Sequence, residues 1–346
     1  MDLCIIGAGV SGLILILLLA ETSISLNNIC VIDPYFDGGD LLRKWPSVIS
    51  NTPWSATLNN LQKYCPSAKI PNWALNLPLD KPTPLHTVIK LIRECAKPVL
   101  DKVQRIHGNV VSANWSSTKS LWYVNIKREQ VIHTIEAKGL TLSYGADPKE
   151  LDISIPSIPL DIALDINKLK NYIEPTNKVL VFGTRHSGVH VLKNLVDCSA
   201  NSIIGLYKGA NPFSFARDGE YDGIKMDAAT IADEILVNKY PSIKMLSLSN
   251  LSTMLRETRS ADWAIYAIGF EPRHKIALTI DENKGLTNLE YDKTGKLLQY
   301  PCAWGFGFAY PSQAPDEIHW DVGVSSFLEH IHRQIPSILS IIYLIQ

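Results

Sequence analysis

Residues 2–33 constrain the fold more than any other stretch of the chain. The apolar run Leu3-Cys4-Ile5-Ile6 stops at Gly7-Ala8-Gly9-Val10-Ser11-Gly12, residues 13–20 are apolar and helix-forming, and a second apolar run, Ile29-Cys30-Val31-Ile32, stops at Asp33. The pattern predicts a strand, a phosphate-binding turn, a helix and a strand. Each residue type has a physical task. Gly7 lets the backbone turn sharply out of the strand, Gly9 lets a diphosphate approach the main chain without meeting a Cβ, and Gly12 lets the helix lie close on the sheet. The N–H groups of Ala8, Val10 and Ser11 at the helix start then face the phosphates, with the positive end of the helix dipole behind them. Asp33 falls roughly twenty positions beyond Gly12, the spacing of a carboxylate that accepts from ribose hydroxyls.

Residues 13–20 also invite two other readings. A secretory signal is disfavoured because Asp2 stands where a basic segment belongs. A membrane span is disfavoured because the run is far short of the ~20 residues required. The 346 residues suit two domains of ordinary size, or one interrupted by another. A net charge of −1 with no polybasic block leaves no electrostatic footprint for nucleic acid or an anionic membrane, so the expected partner is a small molecule. Cys4, Cys30, Cys65, Cys95, Cys198 and Cys302 are scattered, with neither CxxC nor metal-ligand spacing. They read as reduced, structural thiols in a cytoplasmic-type compartment.

After Asp33, the run through Gly38-Gly39 and Trp45-Pro46 to Pro53-Trp54 has no regular period, and reads either as a binding loop passing close to a ligand or as an ordinary turn anchored by Trp45. Residues 66–84 are proline-rich and expected to be irregular. Residues 85–100 have helical spacing, and 109–115, 120–127 and 131–137 alternate as an antiparallel meander. A strand ends at Tyr144-Gly145, and the proline-stiffened residues 155–161 mark a domain boundary.

A second nucleotide-type unit follows. Residues 178–182 predict a strand, Gly183-Thr184-Arg185-His186-Ser187-Gly188 a turn, 189–196 a helix, and 202–208 a further strand. Arg185 replaces the middle glycine and Lys208 the acidic residue. A cationic Lys208, with Arg217, points to a 2′-phosphate and hence to NADP over NAD; a fold that binds nothing is the alternative. Residues 212–223 read as a loop over a site, 227–239 as a helix, and 262–266 as a buried strand that returns the chain to the first domain through Gly269-Phe270-Glu271-Pro272-Arg273. Residues 289–298 read as a hairpin and 322–333 as a helix. The apolar tail 337–345 is too short to span a bilayer and reads as core or dimer packing, compatible with a homodimer.

In this order of parts the chain resembles the two-dinucleotide-binding-domain flavoproteins, the superfamily of thioredoxin and glutathione reductases and flavin-containing monooxygenases. The resemblance rests on Gly7, Gly9, Gly12 and Asp33, on Ser143-Tyr144-Gly145 and the Ala267 to Arg273 run as paired glycine-ended strands, and on the meander. It implies an α/β fold in which a Rossmann-like FAD-binding domain, residues 1–150 and 268–346, is interrupted by a smaller Rossmann-like NAD(P)-type domain, residues 151–267. It also implies that Gly38, Gly39 and Trp45 line the flavin side, and that Val110 or Val111 meets adenine through its backbone. Gly145 ends the first of the paired strands at the cofactor, and Gly305 and Gly323 face the flavin ring. With no CxxC, disulfide-reductase chemistry lacks its two sulfurs, and Gly305-Phe306 departs from the Gly-Asp of the reductases; both pull toward the monooxygenase branch.

In such enzymes the flavin does the electron chemistry, so no obligatory acid, base or nucleophile is expected. His186 and His190 share a helix face but have no third ligand, and His330 and His332 point to different faces; no metal is expected. His319 and Asp321, just before the last helix, are the candidates for substrate contact. The reading is an FAD-dependent oxidoreductase, reduced by NAD(P)H and passing electrons to oxygen or a small organic substrate. The alternatives are a flavin oxidase or dehydrogenase reduced by its own substrate, and a non-catalytic FAD-binding protein.

Overall fold

The computed structural model describes residues 1–213, 215–217, 220–221, 227–273, 276–283, 289–313, 320–321 and 323–344. Its contacts divide the chain into one unit of Met1–Arg43, Pro53–Ala146 and Pro272–Gln346, and another of Lys44–Thr52 and Asp147–Glu271. The chain thus passes from one unit to the other at 146/147 and back at 271/272, where the sequence reading puts its boundaries at 150/151 and 267/268. Residues 44–52 group with the second unit.

The first unit is built on a parallel five-stranded sheet, in the order Ala303–Gly305, Gly139–Leu142, Leu3–Ile6, Ile29–Ile32 and Gln104–Ile106. The central strands are buried at every position because both faces of the sheet are covered: helices pack on one, and on the other Cys4, Ile6, Cys30, Ile32, Leu140 and Leu142 share a core with Trp122, Val124 and Ile126. The helix Val10–Ala20 is buried from Val10 to Leu19, with no polar face. It packs against the helices Leu85–Leu100 and Val324–Leu344. An apolar stretch that looked like a signal core is therefore the centre of the domain.

A second sheet carries the meander Asn109–Ser116, Leu121–Arg128 and Val131–Ala137, with Ala277–Ile280 added in parallel to its first strand. Alternation along Leu121–Arg128 buries Trp122, Val124 and Ile126. Trp122 lies edge-on to Trp115 at 5.7 Å and donates to the Pro301 carbonyl at 3.0 Å.

Three stretches differ from expectation. Residues 54–64, to which the sequence reading assigns no element, form a helix that starts after Pro53 and buries Trp54, Leu58 and Leu61 at helical spacing. The short helix Asn72–Leu75 interrupts the proline-rich stretch. The last helix runs to Leu344 instead of stopping near 333, passing through Pro336. An interior proline costs about 3 kcal/mol. Burying Ile335, Ile338 and Ile342, at roughly 1.5–3 kcal/mol each, offsets it. The tail is thus core packing.

The second unit is a parallel four-stranded sheet, in the order Ile243–Ser247, Ser202–Tyr207, Lys178–Phe182 and Trp263–Tyr266. The helices His186–Asp197, Asp227–Leu236 and Leu251–Arg259 connect its strands.

His330, on the long C-terminal helix, is 3% exposed, and its Nε2 has no hydrogen-bond partner among the described residues. Burial, reinforced by nearby Arg333, pushes its pKa down to about 4. Its folded pKa lies below the ordinary histidine value, so the unfolded chain takes up a proton first as pH falls. The stability present above about pH 6.5 is then lost toward pH 4. His330→Leu should match the wild type at pH 7.5 and lose less stability on acidification to pH 4.5, as followed by denaturant unfolding at each pH.

Candidate functional site

Gly7 leaves the first strand at φ +102°, and its N–H donates to Ile32 O at 2.8 Å. A Cβ on Gly7 would stand 2.3 Å from the carbonyl oxygen of Ser143, and one on Gly12 would stand 2.0 Å from the Gly7 oxygen. Main chain is therefore pressed on main chain at both positions. Gly9 is different: it caps the helix at φ −71°, ψ −174°, and a Cβ there would meet nothing within 4 Å among the described residues. The structure leaves an open direction over Gly9 beside the main chain of the helix start, which is the shape a diphosphate requires.

Asp33 is 9% exposed and organises the loops around this turn. Its Oδ2 accepts from Ala8 N at 2.8 Å, and its Oδ1 accepts from Tyr35 N and Phe36 N, both at 2.8 Å. Of the roughly four acceptor positions on a carboxylate, three are taken by backbone, which leaves one for a ribose hydroxyl. Asp33 therefore fixes the turn as well as offering an acceptor.

The glycine pair, read as either a ligand-approach loop or a turn, packs against the site itself. A Cβ on Gly39 would lie 2.9 Å from Gly9 Cα, and one on Gly38 would lie 2.6 Å from Ile89 Cγ2. Trp45 falls in the segment grouped with the second unit, where it is buried and edge-on to Phe270 at 5.9 Å. Val110 is a buried core residue, whereas the ladder slips between Val110 and Ser112, so Val111 has no cross-strand partner.

Gly305 is explained by packing, since a Cβ there would stand 2.2 Å from Tyr310 Cγ. The close approach to the phosphate turn is made instead by Gly307, at φ +88°, whose Cβ would lie 2.6 Å from Ser11 Oγ. Gly323 starts the last helix, its carbonyl accepting from Phe327 N at 3.0 Å. His319 lies outside the described residues. Of Asp321, only the backbone is described, in a strand pair with Ser312.

Two groups escaped sequence reasoning. Arg273 forms an ion pair with Asp40 and donates to the carbonyls of Tyr144 and Ala146, both at 3.4 Å, so it fastens the Gly145 turn. Tyr144 and Tyr310 share a partly buried hydrogen bond of 2.6 Å, and burial raises both hydroxyls above the ordinary tyrosine range. Their partners lie 233 and 166 positions apart in sequence, so no local signal pairs them.

The turn of the second unit is a copy of the first. Gly183 has φ +92°, and its Cβ would stand 2.3 Å from Ala267 O; that of Gly188 would stand 2.0 Å from Gly183 O. Gly183 N donates to Leu206 O as Gly7 N does to Ile32 O. This register corrects the sequence reading: Tyr207, not Lys208, occupies the position of Asp33, and Lys208 follows one residue later, exposed. Gly188 stands 19 positions before Tyr207 whereas Gly12 stands 21 before Asp33, so counting along the sequence overshoots the register. With no carboxylate at that position, the loop is tied instead by Thr184 Oγ1, which donates to Pro212 O.

Arg185 caps the helix at φ −82°, ψ −166°, and is exposed. Ser187, on the first turn of that helix, is half-buried. His186 and His190 contact each other at 4.8 Å. Burial, with His190 alongside, pushes His186 down to about 4, and burial lowers His190. No group able to hold a metal occurs among the described residues. All six cysteines are free, and burial pushes Cys65 and Cys95 up to about 12 and about 11, the range of inert thiols.

No protein-family model matches the chain. The chain is 26% identical to Monooxygenase AgnR1 of Paecilomyces divaricatus across 96% of both sequences. Among solved structures, the ornithine N-hydroxylase of Kutzneria sp. 744, solved as KtzI-FADred-NADP+-L-orn, matches 98% of this chain and 99% of its own with a TM-score of 0.61 at 12% identity. Thioredoxin reductase of Lactococcus lactis matches 99% of both chains with a TM-score of 0.55, also at 12% identity. The chain has the two-Rossmann-domain fold shared by flavin monooxygenases and thioredoxin reductase. No helix among the described residues is long and apolar enough to cross a membrane.

The two kinds of glycine separate folding from binding. Gly9→Ala should cost at most about 1 kcal/mol, the N-cap penalty of alanine, while weakening FAD uptake by about ten-fold or more, equivalent to at least about 1.4 kcal/mol of binding. Gly12→Ala, which drives a methyl into a carbonyl, should cost about 3 kcal/mol or more. Thermal denaturation and flavin titration of the two variants check both outcomes.

Proposed function

We propose that this chain is an FAD-dependent, NADPH-linked monooxygenase-like oxidoreductase. The observation that carries the proposal is the turn of residues 7–12, where main-chain amides at a helix start border an open direction over Gly9 and the Asp33 carboxylate keeps one acceptor position. The Monooxygenase AgnR1 relative, similar over nearly the whole of both chains, supports the oxidative branch.

In this reading Val10 and Ser11 hold the diphosphate through their amides, Ala8, expected among them, spends its N–H on Asp33, Asp33 takes a ribose hydroxyl, and the bulged main chain at Val111 meets adenine. Gly307 and the helix start at Gly323 border the flavin ring. Bound FAD would supply the two-electron chemistry between NADPH and oxygen. The chain's own contribution is to bind, orient and exclude water. No disulfide partner is needed, and the sequence has no CxxC.

The second unit, with Tyr207 in place of the ribose carboxylate and Lys208 beside it, suits a 2′-phosphate and hence NADP over NAD. A flavin enzyme reduced by its own substrate is the second reading. It is favoured by Arg185, whose Cβ takes the direction left open over Gly9. The ligands are small molecules, and free thiols suit a cytoplasmic, reducing compartment.

Purified protein should be yellow, bleach under anaerobic NADPH and recover its colour with oxygen. A folded, colourless protein that refuses added FAD would sink the proposal. Bleaching by a metabolite mixture without nicotinamide would select the second reading, and a flavin resistant to every reductant would select a non-catalytic binder.

A further inference from the structure

The two glycine turns differ in one position that matters for a ligand. In each turn a Cβ on the first glycine would stand 2.3 Å, and one on the third 2.0 Å, from a main-chain oxygen. The middle residues have nearly the same backbone, φ −71°, ψ −174° at Gly9 and φ −82°, ψ −166° at Arg185. Equal dihedrals send a Cβ the same way. Over Gly9 that way is open; in the second turn the Arg185 side chain leaves along it.

A diphosphate cannot lie against the main chain of the second turn as it can in the first, because at least a Cβ intervenes. The intruding side chain nevertheless ends in a planar, permanently charged fork that matches phosphate oxygens two at a time. The positive end of the helix His186–Asp197 stands behind it. His186 and His190, held neutral at pH 7 by burial, add no charge, so Arg185 and Lys208 are the cations this turn offers among the described residues.

We propose that Arg185 replaces main-chain phosphate binding in the second unit, holding the diphosphate of the nicotinamide dinucleotide through its guanidinium at one side chain's remove from the turn. The inference rests on the reading of NADPH as reductant. Its consequence is a site whose affinity falls steeply with salt, because an exposed guanidinium is screened where a buried amide cradle is not.

The test is calorimetric titration of the full-length, FAD-loaded protein with NADP+ at low and at physiological ionic strength. Wild type, Arg185→Ala and Arg185→Lys are compared, with flavin content as the control for folding. Arg185→Ala should bind about ten- to hundred-fold more weakly, the loss expected of a charge-assisted hydrogen-bond pair, with a flatter salt response. Arg185→Lys should recover part of the affinity and most of the salt dependence. Arg185→Ala binding as tightly as wild type, or more tightly, would overturn the inference while leaving NADPH use intact. Wild-type protein that holds FAD yet binds neither NADP+ nor NAD+ would overturn the nicotinamide reading and this inference with it.

Discussion

The structure depends on a contact between two stretches of bare backbone. At Gly7 the chain turns with a positive φ and lies against the carbonyl that ends the neighbouring strand at Ser143; at Gly183 it does the same against Ala267. Neither place admits a Cβ. The contact brings the start of each helix down onto the carboxyl edge of its sheet and aims unpaired amides outward. From it follow the helix Val10–Ala20 buried along its length, the parallel strands on either side, and a positively polarised rim where an anion can sit.

Because both units keep this contact, their differences are differences of chemistry on one scaffold. In the first unit the carboxylate of Asp33 ties the turn and the following loop together through three backbone donors. In the second unit a tyrosine stands in that register, and the tie passes to a threonine hydroxyl. The first turn offers main chain over Gly9, and the second offers the side chain of Arg185. One scaffold thus presents main-chain amides beside a carboxylate in the first unit, and an arginine and a lysine with no carboxylate in the second.

Much of this was legible along the chain. The strand–turn–helix pattern, the meander at 109–137 and the paired glycine-ended strands are local, and glycine at a positive-φ turn or alternation on a half-buried strand leaves a direct trace in residue order. What was not legible depended on partners distant in sequence. The helix Trp54–Tyr64 has no polar capping residue to mark its start, and although Trp54, Leu58 and Leu61 recur at helical spacing, the surface that buries them, the helix Val324–Leu344, lies far along the chain. Gly305 looked like a ligand-facing glycine and instead makes room for the ring of Tyr310. Arg273 carries its charge to Asp40, 233 residues away.

The sequence alone determined the two nucleotide-type units, the apolar strands, the special glycines and the lack of a redox dithiol, because each follows from what a residue's own backbone and side chain permit. Only the tertiary structure decided which residue stands in which register. It put Tyr207 where Lys208 had been expected, brought Gly39 onto Gly9, and gave Asp33 three backbone partners before any ligand arrives. Register and close approach are set by packing between segments that meet only in space, and no count along the chain contains that distance.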